Sequence, residues 1–213
     1  MISKVREIIK EHVKSNAKTY FFLLMAFVIG ISAGAFTVNG LSSFQRDELK
    51  NYFQGFLQIL DSQKTQSNEL LKISMTDNFK LVGILWILGV SIIGIPFIYI
   101  LIVIRGFMTG FSTGFIIQTL GTKGMIFTLL TLVPKELIII PALIALGVNG
   151  INFSLKIIKN RSIKNISKEG IKSNFAKYCF VTAFFSFFIL AGVLIEAYIL
   201  PITIRMMSSI VPA

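Results

Sequence analysis

Uncharged, mainly apolar runs fill 20–38, 81–104, 106–120, 137–155 and 178–195, and shorter polar segments part them. A helix needs about 20 predominantly apolar residues to cross roughly 30 Å of hydrocarbon. The runs therefore predict an all-α, polytopic integral membrane protein of about five transmembrane helices, organised as a single membrane domain over 1–213. The first run could also be a secretion signal, because Ala33, Gly34 and Ala35 imitate a cleavage site. It is longer than a usual signal core and precedes further apolar runs, so an uncleaved helix is expected.

Two places interrupt the pattern. Within 81–104, Gly94 and Pro96 predict a kink or a loosened turn. After 106–120, which is short for a span, Gly121 and Gly124 precede a further apolar piece and then Pro134, Lys135 and Glu136. Either a short third helix is followed by a re-entrant segment over 125–136, or one long broken helix reverses near Pro134. The first arrangement is the expectation.

The stretch 39–80 follows a different rule. Leu49, Phe53, Phe56 and Leu60 recur at helical spacing, and Arg46, Asp47, Lys50, Asn51 and Gln54 occupy the other faces. That pattern predicts one amphipathic helix. It either lies on the membrane or its own bundle, or presents those four residues as a docking face for an extracytoplasmic partner.

Charge orients the spans. A net charge of +11 would point to nucleic acid if it covered one soluble face. Instead it gathers in the tail 1–19 and in the loop 156–177, flanking apolar runs, so no nucleic-acid partner is expected. Short loops rich in Lys and Arg stay in the cytoplasm. Placing both basic segments there requires an even number of spans between them, with the amino terminus cytoplasmic and the carboxyl terminus extracytoplasmic. The segment 39–80 is then extracytoplasmic, and its acids and bases balance as a translocated loop allows.

Candidate chemistry is sparse. Gly106, Gly110 and Gly114 form a ridge every fourth residue, and Gly30 with Gly34 is a shorter instance. In lipid such ridges let helix backbones approach closely, against another part of the chain or a second copy in a homo-oligomer. Lys135 and Glu136 are ionisable groups within an apolar region, where charge is costly. They could pair, cap the next helix or line a polar cavity, and capping is the expectation. Glu196 and Arg205 read as groups snorkelling to an interface. Cys179 reads as a small apolar residue, and His12 has no ligand or triad partner nearby. No phosphate-cradling glycine loop, His-Glu-x-x-His helix or serine triad is present. Neither an enzyme nor a cofactor or metal site is expected.

The order of these features resembles the stage II sporulation protein M family of endospore-forming bacteria. The resemblance runs over most of the chain. It is carried by Gly83 and Trp86 leading to Gly94 and Pro96, by Arg105, Gly106, Phe107, Gly110 and Phe111, and by Pro134, Lys135, Glu136 and Pro141. It implies a non-enzymatic scaffold of the bacterial cell membrane, in the mother-cell and engulfing septal membranes. Its implied partners are two peptidoglycan hydrolases, stage II sporulation proteins D and P, and its process is septal peptidoglycan remodelling during engulfment. From the residues alone, the competing reading is a transporter or channel subunit, suggested by Glu136 and a helix broken near Pro134.

Overall fold

The computed structural model describes residues 13–62, 67–162 and 168–208, and these are almost entirely helical. Six long helices follow in order: α1 (Ala17–Asn39), α2 (Ser43–Ser62), α3 (Ser67–Val90), α4 (Gly94–Leu120), α5 (Thr122–Ser162) and α6 (Lys168–Ser208). Five are long and apolar enough to cross a membrane, and α2 is the exception. The expected all-α membrane architecture is what the chain adopts.

The helix boundaries differ from those expected at two places, each for a local reason. The run 81–104 is divided between α3 and α4 by a tight turn over residues 91–93. Pro96 lies in the first turn of α4, where its missing N–H would have had no intrahelical acceptor, so it starts a helix instead of kinking one. The carbonyls left over at the end of α3 are met from other helices. Tyr178 Oη donates to Trp86 O at 2.8 Å. The Ser154 hydroxyl lies 2.8 Å from Gly89 O and 2.9 Å from Ser91 O, and its single proton serves one of them at a time. Consequently 94–104 and 106–120 are one helix of 27 residues.

Residues 125–136 form neither a re-entrant segment nor a reversal. They belong to α5, a single helix of 41 residues that runs through Pro134 and Pro141. Each proline removes one backbone hydrogen bond. Breaking the helix in hydrocarbon would expose several unpaired backbone groups, a larger penalty, so the helix continues. The reversal sits earlier, at Gly121, whose φ of +59° and N–H to Ile117 O bond (2.8 Å) close α4 in a conformation that side-chain-bearing residues adopt at a cost.

The tightest pairing joins α1 and α4, which run parallel. Phe27 O approaches Gly106, Ile31 approaches Gly110, and Ala35 approaches Gly114 in ascending order on both helices. A Cβ on Gly34 would sit 2.7 Å from Phe111 N, and one on Gly110 would sit 2.8 Å from Ile31 Cα, closer than real Cβ atoms come. The two glycine ridges are thus each other's partners within one chain. The core proper gathers Leu23, Leu85, Ile98, Leu143, Ile189 and Val193 from all five long apolar helices.

At the start of α2, Ser42 and Gln45 form a reciprocal cap. Gln45 N–H donates to Ser42 Oγ (3.3 Å), and Ser42 N–H donates to Gln45 Oε1 (3.0 Å). The helix then folds back over the Gly121 end of the bundle. Phe53 meets Phe115 edge to face, with centroids 6.1 Å apart, in a satellite cluster with Ile116, Phe127 and Leu132.

Candidate functional site, a charged belt across the bundle

Consecutive residues on a helix point about 100° apart and do not face one another. Lys135 and Glu136 therefore reach different neighbours, and they neither pair together nor cap a helix end. Glu136 turns to α4, where Arg105 Nη2 donates to its Oε1 at 3.0 Å. Lys135 turns to α6 and pairs with Glu196 Oε1, while Ser74 on α3 donates its hydroxyl to Glu196 Oε2. Beside it on α3, Asn78 Nδ2 donates to Ser74 O at 2.9 Å. One stretch of α5 thus ties α4 on one side to α6 and α3 on the other.

These groups are largely shielded: the side chains of Arg105 and Glu136 are 20% and 11% exposed, those of Lys135 and Glu196 13% and 18%. Charge at such positions is tolerated when it is paired. The Arg105–Glu136 contact is a single bond and not a two-pronged fork, because Arg105 Nε and Glu136 Oε2 have no hydrogen-bond partner among the described residues.

Arg105 and Glu196 acquire roles here that the linear pattern did not disclose. Arg105 directly follows the apolar run 81–104 in the sequence, but α4 begins at Gly94 and places it inside a helix. Glu196 reads as an interfacial group, but α6 continues past it to Ser208. The signal available was arithmetic: beyond Asp77 the only acids in apolar surroundings are Glu136 and Glu196, against Arg105, Lys123, Lys135 and Arg205. The side chain of Arg205 and all of His12 lie outside the described residues.

Phe53 is turned onto the bundle and Leu49 is half-buried, while the side chains of Phe56 and Leu60 lie outside the described set. Among the described side chains of α2, the exposed aromatic groups are Phe44 at 75% and Tyr52 at 78%.

At the opposite end of the bundle, where α3 turns into α4, a second polar group assembles. Asn149 Nδ2 donates to Tyr178 O (3.1 Å) and lies 3.2 Å from Thr182 Oγ1, and Phe153 stacks on Tyr178 with centroids 4.5 Å apart. Among the described residues no group of three or more His, Cys, Asp or Glu is placed to hold a metal ion.

Compared with known proteins, the chain matches the family model described as stage II sporulation protein M over residues 23–201. No curated protein and no solved structure matches it.

Proposed function

The chain belongs to the stage II sporulation protein M family, and from that premise we propose that it is a non-enzymatic membrane scaffold that recruits cell-wall hydrolases for septal peptidoglycan remodelling. The partners this assigns are stage II sporulation proteins D and P, gathered at the engulfing membrane of the mother cell. The family match over 23–201 is the observation that carries the reading.

The structure supports it by what it leaves available. The charged groups in the bundle are used on one another, through Arg105–Glu136 and Lys135–Glu196, and hold helices together. The exposed aromatic groups of α2, Phe44 and Tyr52, are the parts a hydrolase could grip, and large aromatic side chains are favoured anchors at such contacts. Holding two hydrolases on one anchor raises the effective concentration of each for the other.

The transporter reading is not favoured, since it rested on a helix broken near Pro134 and α5 is continuous there. The scaffold reading is tested by purifying the tagged full chain from membranes of sporulating cells. Stage II sporulation proteins D and P should come with it, and a Phe44→Asp/Tyr52→Asp variant that still inserts should carry less of them. Septal enrichment of both hydrolases unchanged in cells lacking the chain would overturn it.

A further inference from the structure

At the end of the bundle where α3 turns into α4, residues at the ends of α1, α5 and α6 line a cavity of about 520 Å³. Along α5 and α6 the lining runs from Lys159, Lys156 and Lys177 toward the helix ends to Phe153, Asn149 and Val181 further into the bundle, and Asn152 and Asn174 add further amide groups. Asn149, at 8% exposure, is buried in that wall. Among the described residues that line the cavity there is no carboxylate. Neither ion pair among the described residues involves these lysines.

The three lysines also mark where the apolar stretches of α5 and α6 stop, so the cavity lies at the border between hydrocarbon and water. A group that suits it must be anionic at one end, accept hydrogen bonds from ammonium and amide donors, and continue into an apolar body. The volume is within the range of small-ligand sites. Basic pockets between transmembrane helices on a cytoplasmic face take phosphate-bearing lipid headgroups.

We propose that this cavity binds the phosphate headgroup of an anionic phospholipid, with Lys156, Lys159 and Lys177 neutralising the phosphate and Phe153 and Val181 meeting the first part of an acyl chain. A bound lipid would bridge the ends of α1, α5 and α6, which together line the cavity. The assignment is independent of the hydrolase partners.

The test uses the full chain in detergent, exchanged into micelles holding phosphatidylcholine with a minor fraction of phosphatidylglycerol or cardiolipin, and read by native mass spectrometry. The wild type should retain anionic lipid in preference to phosphatidylcholine. A Lys156→Gln/Lys159→Gln/Lys177→Gln variant should lose about tenfold or more of that retention. Lys14→Gln/Lys18→Gln/Lys172→Gln removes equal charge from the same end of the bundle, outside the cavity lining, and should lose far less. Should the first variant fail to fold, Val181→Trp, which fills the cavity without altering charge, decides alone and should also reduce retention. Equal losses in the two lysine variants, full retention by Val181→Trp, or no preference in the wild type would each overturn the proposal. Displacement of the lipid by millimolar inorganic phosphate would assign the site to free phosphate and overturn the lipid assignment.

Discussion

A buried charge is stable only with its counter-charge in place, so Arg105, Lys135, Glu136 and Glu196 act as two couples. Removing one member of a buried pair typically costs about 3–5 kcal/mol, because the survivor is left uncompensated. Glu136→Gln and Lys135→Met should each lower the melting temperature of the purified chain in detergent. The exchanged double variants, Arg105→Glu with Glu136→Arg and Lys135→Glu with Glu196→Lys, should recover a good part of the loss, since each restores opposite charges across the same gap. Singles that melt like the wild type, or exchanges no better than the sum of their singles in a double-mutant cycle, would show that the pairs do not hold the bundle. Half of this belt was legible in the sequence. Lys135 and Glu136 stood out because charge within an apolar run is expensive, but their partners did not, because pairing between helices depends on rotation about each axis. A helix read one residue at a time does not disclose that rotation.

Elements reveal a different kind of information, because a glycine ridge has meaning only against the surface it meets. The repeat at Gly106, Gly110 and Gly114 and the shorter one at Gly30 and Gly34 were both visible, and nothing in their spacing said that they faced each other. The pairing is now specific: Gly110→Leu would drive a side chain into Ile31, whereas a Cβ on Gly83, also within a membrane-length helix, meets nothing within 4 Å. Gly110→Leu should abolish or strongly reduce folded, monodisperse protein, and Gly83→Leu should leave it near the wild type. In a Cys179→Ser background, Ala35→Cys with Gly114→Cys should close an intramolecular disulfide under mild oxidation, as the Cβ of residue 114 would lie 3.4 Å from Ala35 Cα. A disulfide-linked dimer instead of a compact monomer would move the ridge to an interface between copies. Helix count and type were legible at this scale, because hydrophobic length is a property of composition. The boundaries at 91–93 and at Pro134 differ from the expected ones because the effect of glycine and proline depends on their surroundings. At 91–93 the turn stands because Ser154 and Tyr178 meet the freed carbonyls of α3, and at Pro134 the helix continues because one lost hydrogen bond costs less than a break in hydrocarbon.

For the whole molecule, the new boundaries alter the argument for topology and leave its outcome standing. With 125–136 read as re-entrant, the orientation depended on a segment that entered and left on one side. With α1, α3, α4 and α5 as continuous helices of membrane length, four crossings separate the basic tail from the basic loop without that assumption. Four is even, so the two basic segments share a face, as the bias of Lys and Arg requires. The parallel course of α1 and α4 fits the same count, since each would cross in the same sense. The orientation expected from this has the tail and the loop 156–177 in the cytoplasm, and α2 and the carboxyl terminus outside. In a Cys179→Ser background, Ser43→Cys at the start of α2 should react with a membrane-impermeant maleimide on intact protoplasts. Lys159→Cys should react only after permeabilisation, and a protease-sensitive tag fused after Ala213 should be cleaved from outside. If Ser43→Cys and Lys159→Cys label alike in intact protoplasts, the number of crossings between them is even and the arrangement is wrong. If the pattern is reversed, the bundle is inserted upside down, and Phe44 and Tyr52 would face the cytoplasm, where no wall hydrolase could reach them.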